Sequence, residues 1–362
     1  MSFTSRAEIP IPTIKVQVQH SLRQFEAIAD LQTVVVTDDI EAPSMFALTL
    51  ASWDTEAGEF TWLDDELFTV GTAIDIQMGY GSDLKPLISG EITGLEPEFA
   101  PGSPPILTVR GHDLRHLLMH EQKTRSFTQM KLSDVAEKVI QEAGLSGKVT
   151  PTADKLDYIL QHNQTDMEFL QSQARRIGYE LAMVEKTLHF RPQQFAQDKD
   201  KDKVLTLSPK FDHLEFAPRM SAMGQVKQVE VRGWNPQETD RDKQPILGKA
   251  VANRDEIGKM GGTTSGPMAA FAGSSNPIVT QPVTTQAEAD LLAKAHFNQR
   301  SLSYISGDGS CSGRADLRAG SLVDITDIGQ RFSGLYYVVS AVHTYAPEQS
   351  YSTQFSVRRN AL

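Results

Sequence analysis

A chain of 362 residues with 40% hydrophobic and 22% charged side chains has material for two or three ordinary cores, so neither metal nor disulfide is needed to hold it. Its formal charge of −11 comes from 35 Lys and Arg scattered among 46 Asp and Glu, which excludes the massed basic stripe of a nucleic-acid binder. No segment approaches the roughly 20 apolar residues of a membrane span.

Met1 to Pro12 holds one arginine, two prolines and no apolar run, so it lacks the pattern of a secretory signal, and synthesis in the cytoplasm is expected. The single cysteine, Cys311, excludes an internal disulfide and a thiolate zinc site. It reads as a small residue in a Gly/Ser-rich strand.

Strands are predicted at Val34–Val36, Phe46–Leu50, Ala73–Met78, Ile88–Leu95 and Ile106–Arg110, where apolar and polar residues alternate between Gly, Pro and Asp clusters. The period then changes. Ser133 as N-cap, Asp134, then Val135, Val139 and Ile140 before Gly144 predict a helix. Thr165-Asp-Met-Glu168 is a capping box for a second helix, with Phe169, Leu170, Ala174 and Ile177 as its apolar face and Gly178 as its stop. A hairpin should follow, turning at Glu185-Lys186.

Charge alternation from Gln197 to Lys203 marks a solvated loop, and the breaker-rich stretch at 257–277 predicts another. No Gly-Lys-Ser/Thr follows these glycines, so they do not cradle phosphate. Thr285 and Glu288 repeat the capping-box spacing and open a helix at 286–301, with Ala289, Leu292, Ala293 and Phe297 on one side.

The end of the chain repeats its beginning. Gly71–Ile76 matches Gly320–Ile325, Ile88–Gly90 matches Phe332–Gly334, and Thr108–Arg110 matches Ser356–Arg358, in the same order. More loosely, Leu48–Trp53 can be set beside Val229–Trp234. One β module written twice has a geometric consequence, because a trimer would present six nearly equivalent modules around its axis.

Ile88 to Phe99 (ISGEITGLEPEF), Leu107 to Leu114 (LTVRGHDL), Gln161 to Leu170 (QHNQTDMEFL) and Ala174 to Tyr179 (ARRIGY) resemble the late control protein D family of contractile phages. The amino-terminal hub region of VgrG proteins shares this pattern. Leu317–Gly320, Phe332–Val338 and His343 fit its carboxy-terminal half. The positions carrying the resemblance are Gly90, Gly94, Gly111, His112, Asp113, Gln161, Asp166, Glu168, Phe169, Leu170, Gly178, Gly320, Gly334 and His343. They are read as structural.

The resemblance implies a trimeric baseplate hub whose paired β-barrels mimic the tail-tube hexamer, with a spike below and baseplate wedge components around it. It also implies assembly into a phage tail or contractile injection particle in bacteria. VgrG proteins continue into a needle whereas this sequence stops at Leu362, so the spike is expected to be a separate polypeptide.

Two features invite an enzymatic alternative. His112, His116 and His120 stand four apart, as metal ligands on one helix face do, but Gly111 interrupts the helix and no HExxH glutamate is present. The plainer reading has Gly111–Leu114 capping a strand, with His112 and Asp113 bonded to nearby backbone. Asp166 and Glu168 read as the first turn of a capped helix. No Gly-x-Ser-x-Gly elbow occurs.

A metal- or carboxylate-dependent cell-wall hydrolase therefore stays the alternative, and no catalytic, cofactor or metal residue is assigned. The expected fold is mainly β, with a first barrel module at 1–113, an α+β insertion at 114–205 and a second module at 206–362. As a trimer it would form a pseudo-sixfold ring.

Overall fold

The computed structural model describes residues 11–18, 30–153, 155–193, 195, 204–223, 225–226, 228–233, 246–250, 275–278, 283, 285–347 and 350–361. The first six strands are β1 (Pro12–Val18), β2 (Leu31–Asp39), β3 (Met45–Ala51), β4 (Ala73–Tyr80), β5 (Asp83–Glu98) and β6 (Ile106–Asp113). Side chains alternate across a strand, so Val34 and Val36, Phe46, Leu48 and Leu50, Ile74 and Ile76, and Leu107 and Val109 all enter one core.

A 3-10 turn (Leu114–Met119) leads into β7 (Gln122–Lys131), α1 (Leu132–Glu142), β8 (Ser146–Val149), β9 (Lys155–Thr165), α2 (Asp166–Ile177), β10 (Tyr179–Val184) and β11 (Thr187–Pro192). These elements enclose a core of their own around Val135, Val139, Phe169, Leu170 and Phe190. Thr165 and Glu168 form the reciprocal capping box, and Gly178 ends α2 in the left-handed region at φ 73°.

α1 begins two residues before the expected start. Its N-cap is Lys131, which offers no side-chain cap, and the Ser133 N–H is satisfied by the Thr152 hydroxyl instead. A cap supplied from 19 residues away replaces the local one.

The remainder holds β12 (Leu205–Leu207), β13 (Glu215–Met220), β14 (Gln228–Gly233), β15 (Ile246–Ala250), β16 (Ser275–Ile278), α3 (Gln286–Ser301), β17 (Ile305–Ser312), β18 (Leu322–Ile325), β19 (Gly334–Ala346) and β20 (Ser350–Arg359). Ala289, Leu292, Ala293 and Phe297 of α3 pack on Val229 and Val231 of β14. The loop expected at Gln197–Lys203 lies outside the described residues, as does 257–277 up to the start of β16.

The twelve-stranded sheet runs β1-β4-β5-β6-β3-β2-β19-β20-β17-β13, with β18 on β19 and β12 on β18. Its two halves carry the same ladder. The Gly71 N–H bonds the Ile92 carbonyl and the Ile92 N–H bonds the Thr72 carbonyl; the Gly320 N–H bonds the Val338 carbonyl and the Val338 N–H bonds the Ser321 carbonyl. A bulge follows at the same step in each half, between Ile92 and Gly94 and between Val338 and Ser340. Thus β3, β4, β5 and β6 correspond to β17, β18, β19 and β20, and β2 to β13.

This correspondence corrects three expected matches. Ile325 pairs with Gly334 where Ile76 pairs with Ile88, so Gly90 is equivalent to Tyr336 and the Ser-Gly match is off by two. Ser356, opposite Ser340, takes the place of Arg110, opposite Gly94, so the Val-Arg match slips by the same amount. The counterpart of Leu48–Trp53 is β17, since β14 belongs to a separate three-stranded sheet. Among the described residues the two halves merge through β2 and β19, and no pairing closes either half into a ring of its own.

Candidate functional site: the buried joint

The chemistry of this fold is concentrated where the three units meet. Asp113, at the end of β6, caps the 3-10 turn by accepting from the Arg115 N–H at 2.9 Å. Its carboxylate also receives the Arg115 guanidinium at 2.7 Å and the Ser44 N–H at 2.9 Å. Arg115 is 1% exposed. It reaches the Asp39 carbonyl at 2.9 Å, the Ser44 hydroxyl at 3.0 Å and the Leu181 carbonyl of β10 at 3.3 Å. One guanidinium therefore ties both neighbouring strands to the insertion, with its charge neutralised in place.

The network continues into the second half. The Ser44 hydroxyl donates to Asp38 at 3.0 Å. Asp38 also accepts from Arg318 Nε at 2.7 Å and from the Ala319 N–H at 3.1 Å. Arg318 then donates to the Pro86 and Leu87 carbonyls. Burial works against a charged Asp38, but Arg318, helped by Ser44 and Arg115, holds its carboxyl below the ordinary value. A second tie runs from the insertion, where Glu180 accepts from Tyr337 at 2.6 Å and from Arg191 at 2.8 Å. Burial pushes the Glu180 carboxyl up even so.

His343 lies in the seam itself, opposite Val36 of β2 and Thr353 of β20. It is fully buried, with Nδ1 3.0 Å from the Tyr351 hydroxyl. Burial lowers it to about 4, so the seam contains a neutral imidazole.

The remaining motif residues fall into local roles. A Cβ at Gly90 would stand 2.0 Å from the His112 carbonyl, and one at Gly111 would stand 2.1 Å from the Phe46 ring, whereas Gly94 faces open space. Gly320 and Gly334 both have positive φ, and Gly320 starts the repeated ladder. Gln161, fully buried, accepts from Arg125 and donates to Asp166 at 2.9 Å. Asp166 also takes Lys123 and Arg125. Phe169 stacks on Phe127 with Leu170 in the same core.

His112 differs from its expected backbone role, since its Nδ1 lies 2.9 Å from the Thr93 hydroxyl. His116 turns Nδ1 to the Asp113 carbonyl and Nε2 towards Glu91. The three histidines follow a strand end and a 3-10 turn instead of one α-helix face. Cys311 is buried and its thiol is pushed up to about 12 by burial, the opposite of a nucleophile's environment.

The sequence singles out Asp113 but not Ser44, Asp38, Arg115 or Glu180, and it presents Arg318 and Tyr337 only within longer motifs. The one local signal was Arg115, two residues after a capping aspartate.

The fold is similar to that of a 43 kDa tail protein of prophage MuSo2 from Shewanella oneidensis, with 15% identity over 96% of this chain and 98% of that one and a TM-score of 0.69. A tail protein from Neisseria meningitidis gives 13% identity, 96% coverage of both chains and a TM-score of 0.67. An E. coli component of the type VI secretion system, described as structurally similar to bacteriophage T4 tail proteins, gives 12% identity over 95% of this chain and 76% of that one, with a TM-score of 0.61. At such identities the likeness establishes the fold. A comparison with curated proteins finds no match. The family model described as the Alg8 N-terminal domain matches residues 10–347, from the first strand to the end of β19, and the chain belongs to that family.

Proposed function

We propose that the chain is a structural baseplate hub of a contractile injection machine. Three copies make a pseudo-sixfold ring of β modules that docks on a hexameric tail tube, holds a separate trimeric spike below and contacts baseplate wedge components around it. The family is described by a domain name that specifies no reaction, and the proposed role is mechanical.

One observation carries this reading: the two halves share the same ladder, with the same glycine entry and the same bulge. They are joined edge to edge through β2 and β19 in one sheet. A structural unit used twice per chain is what converts threefold into sixfold symmetry. The buried arginine network suits a part that transmits load, since it bonds both halves and the insertion to one another.

The test is the native mass of the purified chain, alone and mixed with a hexameric tube protein and a trimeric spike protein from the same source. The expected result is a trimer that binds one spike trimer and caps the tube. A chain that stays monomeric with both partners present removes the reading.

A further inference from the structure

Among the described residues, two of the open sheet edges are the counterparts of the two that meet inside the chain. Within the chain, β2 pairs with the second part of β19, Ser340 to Tyr345. The equivalent part of β5, Gly94 to Glu98, pairs only with β6. The equivalent of β2 is β13, the last strand of the sheet, which pairs only with β17. Each chain therefore carries one half of the joint at each end.

The internal joint also supplies a register. Carried through the strand correspondence, it sets Leu95 opposite Met220, Glu96 opposite Arg219, Pro97 opposite Pro218, Glu98 opposite Ala217 and Phe99 opposite Phe216. Nothing in that transfer requires the side chains to agree, yet they do. Leu95, Pro97 and Phe99 meet Met220, Pro218 and Phe216 on one face, while Glu96 meets the exposed Arg219 on the other. Glu96 already accepts from Arg110 of its own strand pair at 2.7 Å, so Arg219 would become its second cation.

The flanks are apolar too. Trp53, Phe60 and Phe99 form an exposed aromatic cluster beside the β5 edge. Phe211 and Met223, 82% and 96% exposed, flank β13. Contiguous exposed apolar surface of this kind marks a contact site.

The prolines distinguish this joint from the internal one. The Asp113 N–H bonds the Ser44 carbonyl, so in β6 the residues alternating with Asp113 face β5. Thr108 is one of these and sits opposite Glu96, which leaves Pro97 facing outward. By the same alternation the Ser221 N–H bonds the Tyr304 carbonyl, and Pro218 faces outward. Proline has no N–H, so the central pair contributes no hydrogen bond. Met220 also stands where Asp38 stands, and Thr69 where Arg318 stands, so the charged lock is missing.

We infer that the Leu95–Phe99 edge of β5 receives the Phe216–Met220 edge of β13 from a second copy, in the register of β2 on β19, with a proline break at its centre. This rests on the trimeric reading above and adds an ordering, in which strong seams within chains alternate with weaker seams between them. Edge prolines also hinder off-register pairing of the free chain.

The test is a cysteine pair, Glu98→Cys with Ala217→Cys in the same chain, both exposed positions that would be non-hydrogen-bonded partners with close Cβ atoms. The control, Glu98→Cys with Glu215→Cys, is out of register by two. Buried Cys311 does not compete. The native mass of the reduced variants is measured first and the oxidised products second. The expected result is a reduced trimer that oxidises to covalent trimers in the first variant, at least tenfold more than in the control. A reduced trimer with no such crosslink, or with equal crosslinking in the control, overturns this joint and leaves the trimer standing. Monomers at every concentration, with the tube and spike proteins present as well, overturn both.

Discussion

The two halves of the sheet hold the same hydrogen bonds with opposite packing. In the first half Phe46 lies opposite Gly111 and Leu48 opposite Val109, so the bulk is on β3. In the second half Gly307 lies opposite Val357 and Gly309 opposite Phe355, so the bulk is on β20. Each glycine is where a neighbouring ring enters: Phe46 over Gly111, Phe216 over Gly307 and Phe355 over Gly309. The ladder is conserved between halves while volume is traded across the pair, which is how two sequences with little in common fill one frame.

Two buried arginines, Arg115 just beyond the end of β6 and Arg359 as the last residue of β20, test how far the likeness of the halves reaches. Arg115 is neutralised by Asp113, whereas Arg359 is satisfied by carbonyls of Phe332, Ser333, Arg331 and Ala361 and lies over the Tyr336 ring. Arg115→Met should cost about 3–5 kcal/mol, because it strands a buried carboxylate. Arg359→Met should cost only about 1–3 kcal/mol, because carbonyls alone lose partners. Urea unfolding of both variants checks the difference, and equal losses would break the comparison.

Acid should find the seam next. The first-half counterpart of His343 is Pro97, so this response belongs to the second half alone. His343 is lowered from 6.5 to about 4 in the folded chain, so between those values the unfolded chain binds the extra proton. Stability is then complete above pH 6.5 and falls as pH drops towards 4, by about 3 kcal/mol for this group. Unfolding free energy against pH should show the loss in the native chain and a flatter profile in His343→Gln.

The smallest effect sharpens the glycine argument. Gly111→Ala should cost about 1–3 kcal/mol, since its methyl meets the Phe46 ring and the Glu91 carbonyl. Gly94→Ala, facing open space, should stay within about 0.5 kcal/mol. Melting temperatures of the two variants suffice, and a comparable drop for Gly94→Ala would sink the packing account.

Strands and helices were legible because alternation, the Thr165–Glu168 box and the Gly178 stop are local signals. The repeat was legible in order but not in register, since a slip of two residues keeps every side chain on its own face. The insertion of β14 to α3 between β13 and β17 hid the true counterpart of β3. Ser133 misled because its N–H is capped from Thr152, and the joint stayed hidden because Asp38 and Arg318 are 280 residues apart.

That separation also shapes how the protein is made. The outer edge of β2 has to wait for β19, roughly 300 residues later, which at ribosomal speeds of about 5–20 residues per second is about 15–60 seconds of exposure. Asp38 and Asp39 end that strand, and two carboxylates repel the stray partners a nascent chain would meet. When Arg318 emerges, one of those guards becomes the latch.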